Sequence, residues 1–232
     1  MRSATDAVWA REYRWMVRKL VLVEGVPGSG KTTTSWTLAE SYRNAGHEVG
    51  WALEEDRQHP FFDQQFRRSH RSDDFPERCL HAWRSVVDAS LVHPWVLEGV
   101  AFQSTVRFMF EQDLPERTIE AYWDDFVATV RPVAPLFVHL LPRDVESFIR
   151  GHTMNARSDV WGKISAHVLS TPVGRRLDGD GRDVAVDFWI LYSELCVRLA
   201  RRSEVAALEF DVGRGWAGID EAVAEHAGLT PS

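Results

Sequence analysis

Residues 25–32 read Gly-Val-Pro-Gly-Ser-Gly-Lys-Thr, the pattern G-x-x-x-x-G-K-[ST], with an apolar run before it and helix-forming residues after it. That spacing has a direct chemical reading. Glycines let the backbone curl until successive N–H groups converge, and the helix that follows adds its positive end to the same point. Gly25, Pro27, Gly28, Ser29, Gly30, Lys31, Thr32 and Thr33 are therefore expected to cradle the phosphates of a nucleoside triphosphate, ATP or GTP. Lys31 would reach the β- and γ-phosphates, and the Thr32 hydroxyl would ligate Mg²⁺.

Acids at the ends of two other apolar runs extend the set. Trp95-Val96-Leu97-Glu98 ends in a carboxylate where Mg²⁺ could be held directly or through water. Glu54, Glu55 and Asp56 follow the run before it, and one of them is expected to take the proton of an attacking hydroxyl. The same acidic run suits a cationic acceptor. Phosphoryl transfer also needs positive charge on the moving phosphate, supplied from a mobile lid. Residues 142–157 (PRDVESFIRGHTMNAR) carry Arg143, Arg150 and Arg157. Arg150 and Arg157 would share one face of a continuous helix, and Gly151 permits a break there.

These residues need a frame. Apolar runs at 19–24, 48–54, 95–99, 135–141 and 205–210 read as strands. Helical patterns separate them, near 31–45, 76–92, 104–112 and 115–131, then along a stretch marked by Val184, Phe188, Leu191, Leu195 and Leu199, with a short helix last. In the first helix Trp36, Leu38, Ala39 and Tyr42 supply the apolar positions, and in the second Leu80, Trp83, Val87 and Leu91. Residues 174–183 read as a glycine- and charge-rich loop. The alternation predicts an α/β fold with a mostly parallel sheet covered on both faces. Ligand groups in such a sheet gather beyond the carboxyl ends of the strands, which brings 54–56 and Glu98 to the glycine turn. Residues 1–18 read as an extension and 19–232 as a single domain.

At this point the residues resemble a known group, the P-loop nucleoside and nucleotide kinases, the thymidylate-kinase-like branch in particular. Val23-Glu24-Gly25 running into the glycine turn is similar to the opening of thymidylate kinases, and LEGVAFQSTVRFMF (97–110) resembles a deoxynucleoside-kinase segment that begins acid-Arg-Ser. The resemblance implies a three-layer P-loop fold, a five-stranded parallel sheet in order 2-3-1-4-5 with a lid. It gives Glu98 the acidic place, and Glu54 or Glu55 the place of the base. This chain departs where that group carries arginine after the third-strand acid: Gly99 stands there, with Arg107 or Arg57 as candidates to compensate. Without that arginine a phosphorylated acceptor loses its grip. The expectation is therefore an ATP- or GTP-dependent small-molecule kinase, its acceptor a neutral or amine-bearing hydroxyl compound such as an antibiotic or aminated sugar. A nucleoside or nucleoside-monophosphate kinase and a regulatory NTPase are the alternatives. Against the last, no Asn-Lys-x-Asp occurs, nor Asp-x-x-Gly after the third strand.

The remaining composition narrows the partners. A formal charge of -7 over 232 residues gives no basic field for nucleic acid or an anionic membrane. No run reaches the roughly 18 apolar residues of a spanning helix, and the first residues lack a signal-peptide pattern, so the reading is cytoplasmic. Cys79 and Cys196 are alone in their segments and read as reduced thiols. Ten tryptophans point to an aromatic interior. An oligomer is compatible with all of this.

Overall fold

The structure is a computed structural model that describes residues 17–54, 56, 59–61, 72–156, 158–203 and 205–229. Its centre is a five-stranded sheet, entirely parallel, in the order β2-β3-β1-β4-β5. The strands are β1 (Leu20–Gly25), β2 (Gly50–Leu53), β3 (Trp95–Glu98), β4 (Leu136–Leu140) and β5 (Ala206–Phe210). β1 and β4 are apolar almost throughout because both of their faces are covered. Leu20 and Leu22 point into one core, while Val21 and Val23 point into the other.

The first core is aromatic. Helices α2 (Phe75–Val92) and α4 (Glu116–Val130) bring Trp83, Trp123 and Phe126 against Phe137 of β4. Phe102 stacks on Trp123 with centroids 4.7 Å apart, and the Trp83 indole donates to Tyr122 Oη at 3.0 Å. Helix α1 (Lys31–Asn44) covers the opposite face together with α9 (Ile219–His226). The connections leaving β1 and β3 thus run over opposite faces, which opens a crevice between their carboxyl ends.

Several apolar positions fall elsewhere than the periodicity suggests. Trp36, Leu91 and Leu191 are 40–60% exposed, while their helices bury Leu38 and Tyr42, Trp83 and Val86, and Phe188 and Leu195. In α2 the fully buried Trp83 sets the helix rotation, and Leu91 is carried outward. The expected loop at 174–183 is mostly helix. Thr171 caps α7 (Pro172–Arg176), and Asp180 Oδ1 accepts from the N–H groups of Arg182 and Asp183 to start α8 (Gly181–Arg202). Arg18, assigned to the extension, belongs to the fold: its N–H donates to Ala227 O and its carbonyl accepts from Tyr42 Oη. Both cysteines are free and buried. Among the described residues no helix is long and apolar enough to cross a membrane.

Between β3 and α4 the chain makes a π-helical turn (Phe102–Val106) that continues as α3 (Arg107–Glu111). After β4, α5 (Val145–Phe148) runs through a second π-helical turn (Ile149–Thr153) to Ala156, and α6 (Ser158–Ser170) follows. Both irregular turns lie at the carboxyl side of the sheet.

Candidate functional site

The glycine turn sits at the end of β1, the central strand. Ser29 N–H donates to Val26 O at 3.1 Å, closing the turn. Gly30 adopts φ 93°, a left-handed conformation that glycine takes without strain, and α1 begins at the next residue. No side chain caps that helix and no acid stands in its first turn. Its first N–H groups therefore keep their donor capacity, which an anion can satisfy.

Lys31 is 7% exposed. Its ammonium donates to Val26 O at 3.2 Å and lies 3.7 Å from Glu98 Oε1. Glu98, 5% exposed, comes from the end of β3, as the strand-end rule requires. Thr32 and Thr33 are exposed at the head of α1, and the Ser29 hydroxyl is buried without a hydrogen-bond partner. Thr32 and Glu98 are hard oxygen donors suited to Mg²⁺, which takes few protein ligands and completes its shell with phosphate and water. Among the described residues no group of three or more His, Cys, Asp or Glu side chains could hold a metal alone.

Glu54 follows β2 and reaches Gly99, just past β3. Gly99 has φ 69°, and a Cβ there would stand 2.9 Å from Glu54 Oε2 and 3.0 Å from Gln103 Oε1. Both oxygens are buried without partners. Two acceptors facing across one glycine create a place for a donor group. Asp56 is turned to its own backbone, its Oδ2 accepting from Leu53 N–H at 2.8 Å. Glu55, Arg57 and Arg157 lie outside the described residues.

The segment after β4 docks on the turn through residues that the motif reading passed over. Thr153 Oγ1 donates to Pro27 O at 2.8 Å. Trp216, after β5, donates its indole N–H to Ser29 O at 2.7 Å and lies over Gly30. His152 bridges the aromatic row, 4.9 Å from Phe148 and 5.4 Å from Trp216 between centroids. Arg150 is bonded to Glu146 at 2.9 Å and to Asp183 at 2.7 Å. Arg143 is exposed beside Asp211. Trp216 carries a sequence signal: it follows the fifth strand, at the same carboxyl edge of the sheet as the acids after β2 and β3.

Glu24 is the other missed residue. Fully buried, it accepts from Ala101 N–H at 2.6 Å and so ties β1 to the turn that carries Gly99 and Gln103. Burial pushes its carboxyl up to about 8, against the pull of the Phe102 and Ala101 N–H groups and of Lys31. His139, its neighbour on β4, is pushed down to about 4 by burial and by Lys31. Near neutral pH both are therefore largely uncharged.

The sheet order and the glycine turn together define a three-layer α/β protein whose candidate centre lies at the carboxyl ends of β1, β2 and β3. No protein-family model matches the chain, and no curated protein is similar to it.

Proposed function

We propose that this protein is a phosphotransferase, moving the γ-phosphate of ATP or GTP to a hydroxyl of a small molecule. The observation that carries the reading is Lys31. Its buried ammonium is anchored between Val26 O and Glu98 at the uncapped head of α1, beneath a glycine turn of the right spacing.

Glu54 is the base. Its buried, unpartnered Oε2 can accept the proton of an acceptor hydroxyl as that oxygen bonds to the γ-phosphorus. The bond from phosphorus to the bridging oxygen breaks, leaving a nucleoside diphosphate and a phosphate monoester. Thr32 and Glu98 would hold Mg²⁺, which neutralises charge on the phosphates. Thr153 and Trp216 fix the turn by binding the carbonyls of Pro27 and Ser29, which keeps its N–H groups directed elsewhere.

Calorimetry with Mg²⁺-ATP and Mg²⁺-GTP tests the donor site, and labelled γ-phosphate tests transfer to aminated sugars, nucleosides and nucleoside monophosphates. Wild type should bind one of the triphosphates, and Lys31→Ala should lose most of that affinity. If correctly folded wild type shows no heat with either, the reading is wrong.

A further inference from the structure

A cavity of ≈ 280 Å³ opens between α3, α6 and α8, with Phe108, Phe188 and Trp189 among its apolar walls and Arg107 and Lys163 at its edge. It is a built site rather than a packing gap. Glu111, 1% exposed, lies in the wall and accepts from His167 Nε2 at 3.0 Å while pairing with Arg107 at 3.3 Å. That carboxylate is already committed to two partners. The Trp189 indole N–H, 3% exposed, has no acceptor. The lining thus presents the Lys163 ammonium, which has no carboxylate partner among the described residues, beside an Arg107 guanidinium already paired with Glu111.

One helical face links it to the acceptor end of the proposed active site. Gln103, Arg107 and Glu111 recur every four residues, and Arg107 Nε donates back to Gln103 O at 2.8 Å. Gln103 faces Glu54 across Gly99, and Arg107 follows four residues on, at the end of the π-helical turn. The volume lies near the lower end of small-ligand pockets, roughly 300 Å³ and upward, and has room for one or two rings.

We infer that this cavity binds the acceptor, a hydroxylated aromatic carboxylate. Its ring lies against Phe188 and Trp189, its carboxylate meets Arg107 and Lys163, and its hydroxyl points along the helix toward Gln103 and Glu54. The role of the hydroxyl rests on the phosphotransfer reading; the binding of the acid does not.

Calorimetry on the full chain without nucleotide tests the binding alone. The probes are 4-hydroxyphenylacetate and 4-(hydroxymethyl)benzoate, their neutral amides, the amine 4-hydroxyphenethylamine, and a nucleoside monophosphate. At least one acid should bind about tenfold more tightly than its amide and than the amine. Lys163→Gln, at an exposed position, should weaken the acid about fivefold and leave the amide unchanged. Lys31→Ala should leave acid binding intact. The inference is overturned if no acid binds at millimolar concentration, if amide, amine or monophosphate binds as well as the acids, or if Lys163→Gln has no effect. Acid binding without transfer on adding Mg²⁺-ATP and Mg²⁺-GTP would keep the cavity assignment and count against the kinase reading instead.

Discussion

Replacing Gly99 by alanine separates two effects that the structure places at one residue. The first is conformational. Gly99 holds φ 69°, and an L-residue in that region costs roughly 1–2 kcal/mol. For a chain of this size the melting temperature should fall by about 2–8 °C. The second effect is local. The new Cβ would meet Glu54 Oε2 at 2.9 Å and Gln103 Oε1 at 3.0 Å, closer than packed atoms sit. Both contacts are at the ends of flexible side chains, so the two oxygens move aside at little further cost to stability. That movement displaces the proposed base. A misplacement near 1 Å costs about 100-fold in rate, while Lys31 and the glycine turn stay where they are. Gly99→Ala should therefore lower kcat about 100-fold and leave the affinity for Mg²⁺-nucleotide within about twofold, measured by steady-state transfer and calorimetry. Glu54→Gln should give a similar loss of kcat, within the roughly 10²–10⁴ of a general base, without the thermal shift. If Gly99→Ala keeps full turnover while showing the expected fall in melting temperature, Glu54 is not the base.

Three further outcomes follow from the contacts around the turn. Trp216→Phe removes the bond to Ser29 O and should weaken nucleotide binding about two- to twelvefold by calorimetry, the worth of one hydrogen bond of about 0.5–1.5 kcal/mol. Thr153→Val removes the bond to Pro27 O and should raise the KM for nucleotide by a similar factor, with kcat little changed. Glu24 bears on pH: its carboxyl titrates near 8 when folded, above its unfolded value, so the stability it contributes is present at low pH and is lost as pH rises through 8. Glu24→Gln keeps an acceptor for Ala101 N–H but no titrating proton, so urea denaturation from pH 6 to 9 should show wild type losing stability relative to the variant; parallel curves would refute this.

The glycine turn and the place of Glu98 were legible because each is local chemistry joined to a general rule: a glycine signature between strand and helix, and an acid at a strand end; the strand order came only with the resemblance to P-loop kinases. Glu24 was less so. An acid inside an apolar run looks like part of the turn motif, and its partner Ala101 lies 77 residues away. Arg150 stands out by residue type, while its partner Asp183 lies 33 residues on, in a stretch that reads as loop. Helix rotation was readable only in part. The spacing of Leu80, Trp83, Val87 and Leu91 fits a stripe, but Trp83 needs so much space that the interior is built around it, and Leu91 turns to solvent. Periodicity says that a helix has an apolar face, and the largest side chain decides where that face is centred.

The protonation of Glu24 has a meaning beyond stability. Two carboxylates, Glu24 and Glu98, lie close enough to Lys31 for their charges to be felt there, and the chain as a whole carries -7. If both were ionised, one ammonium would be outnumbered in a dry crevice, and the glycine turn would repel the anion its N–H groups can hold. Burial raises the Glu24 carboxyl to about 8, so near neutral pH it adds little negative charge beside Lys31. Glu98 lies 3.7 Å from the ammonium at the end of β3, where a divalent cation could draw it away from Lys31. On the proposed reading, the Lys31–Glu98 pair is what an incoming metal–phosphate complex would open, and that is how an acidic protein would take up an anion without a basic surface.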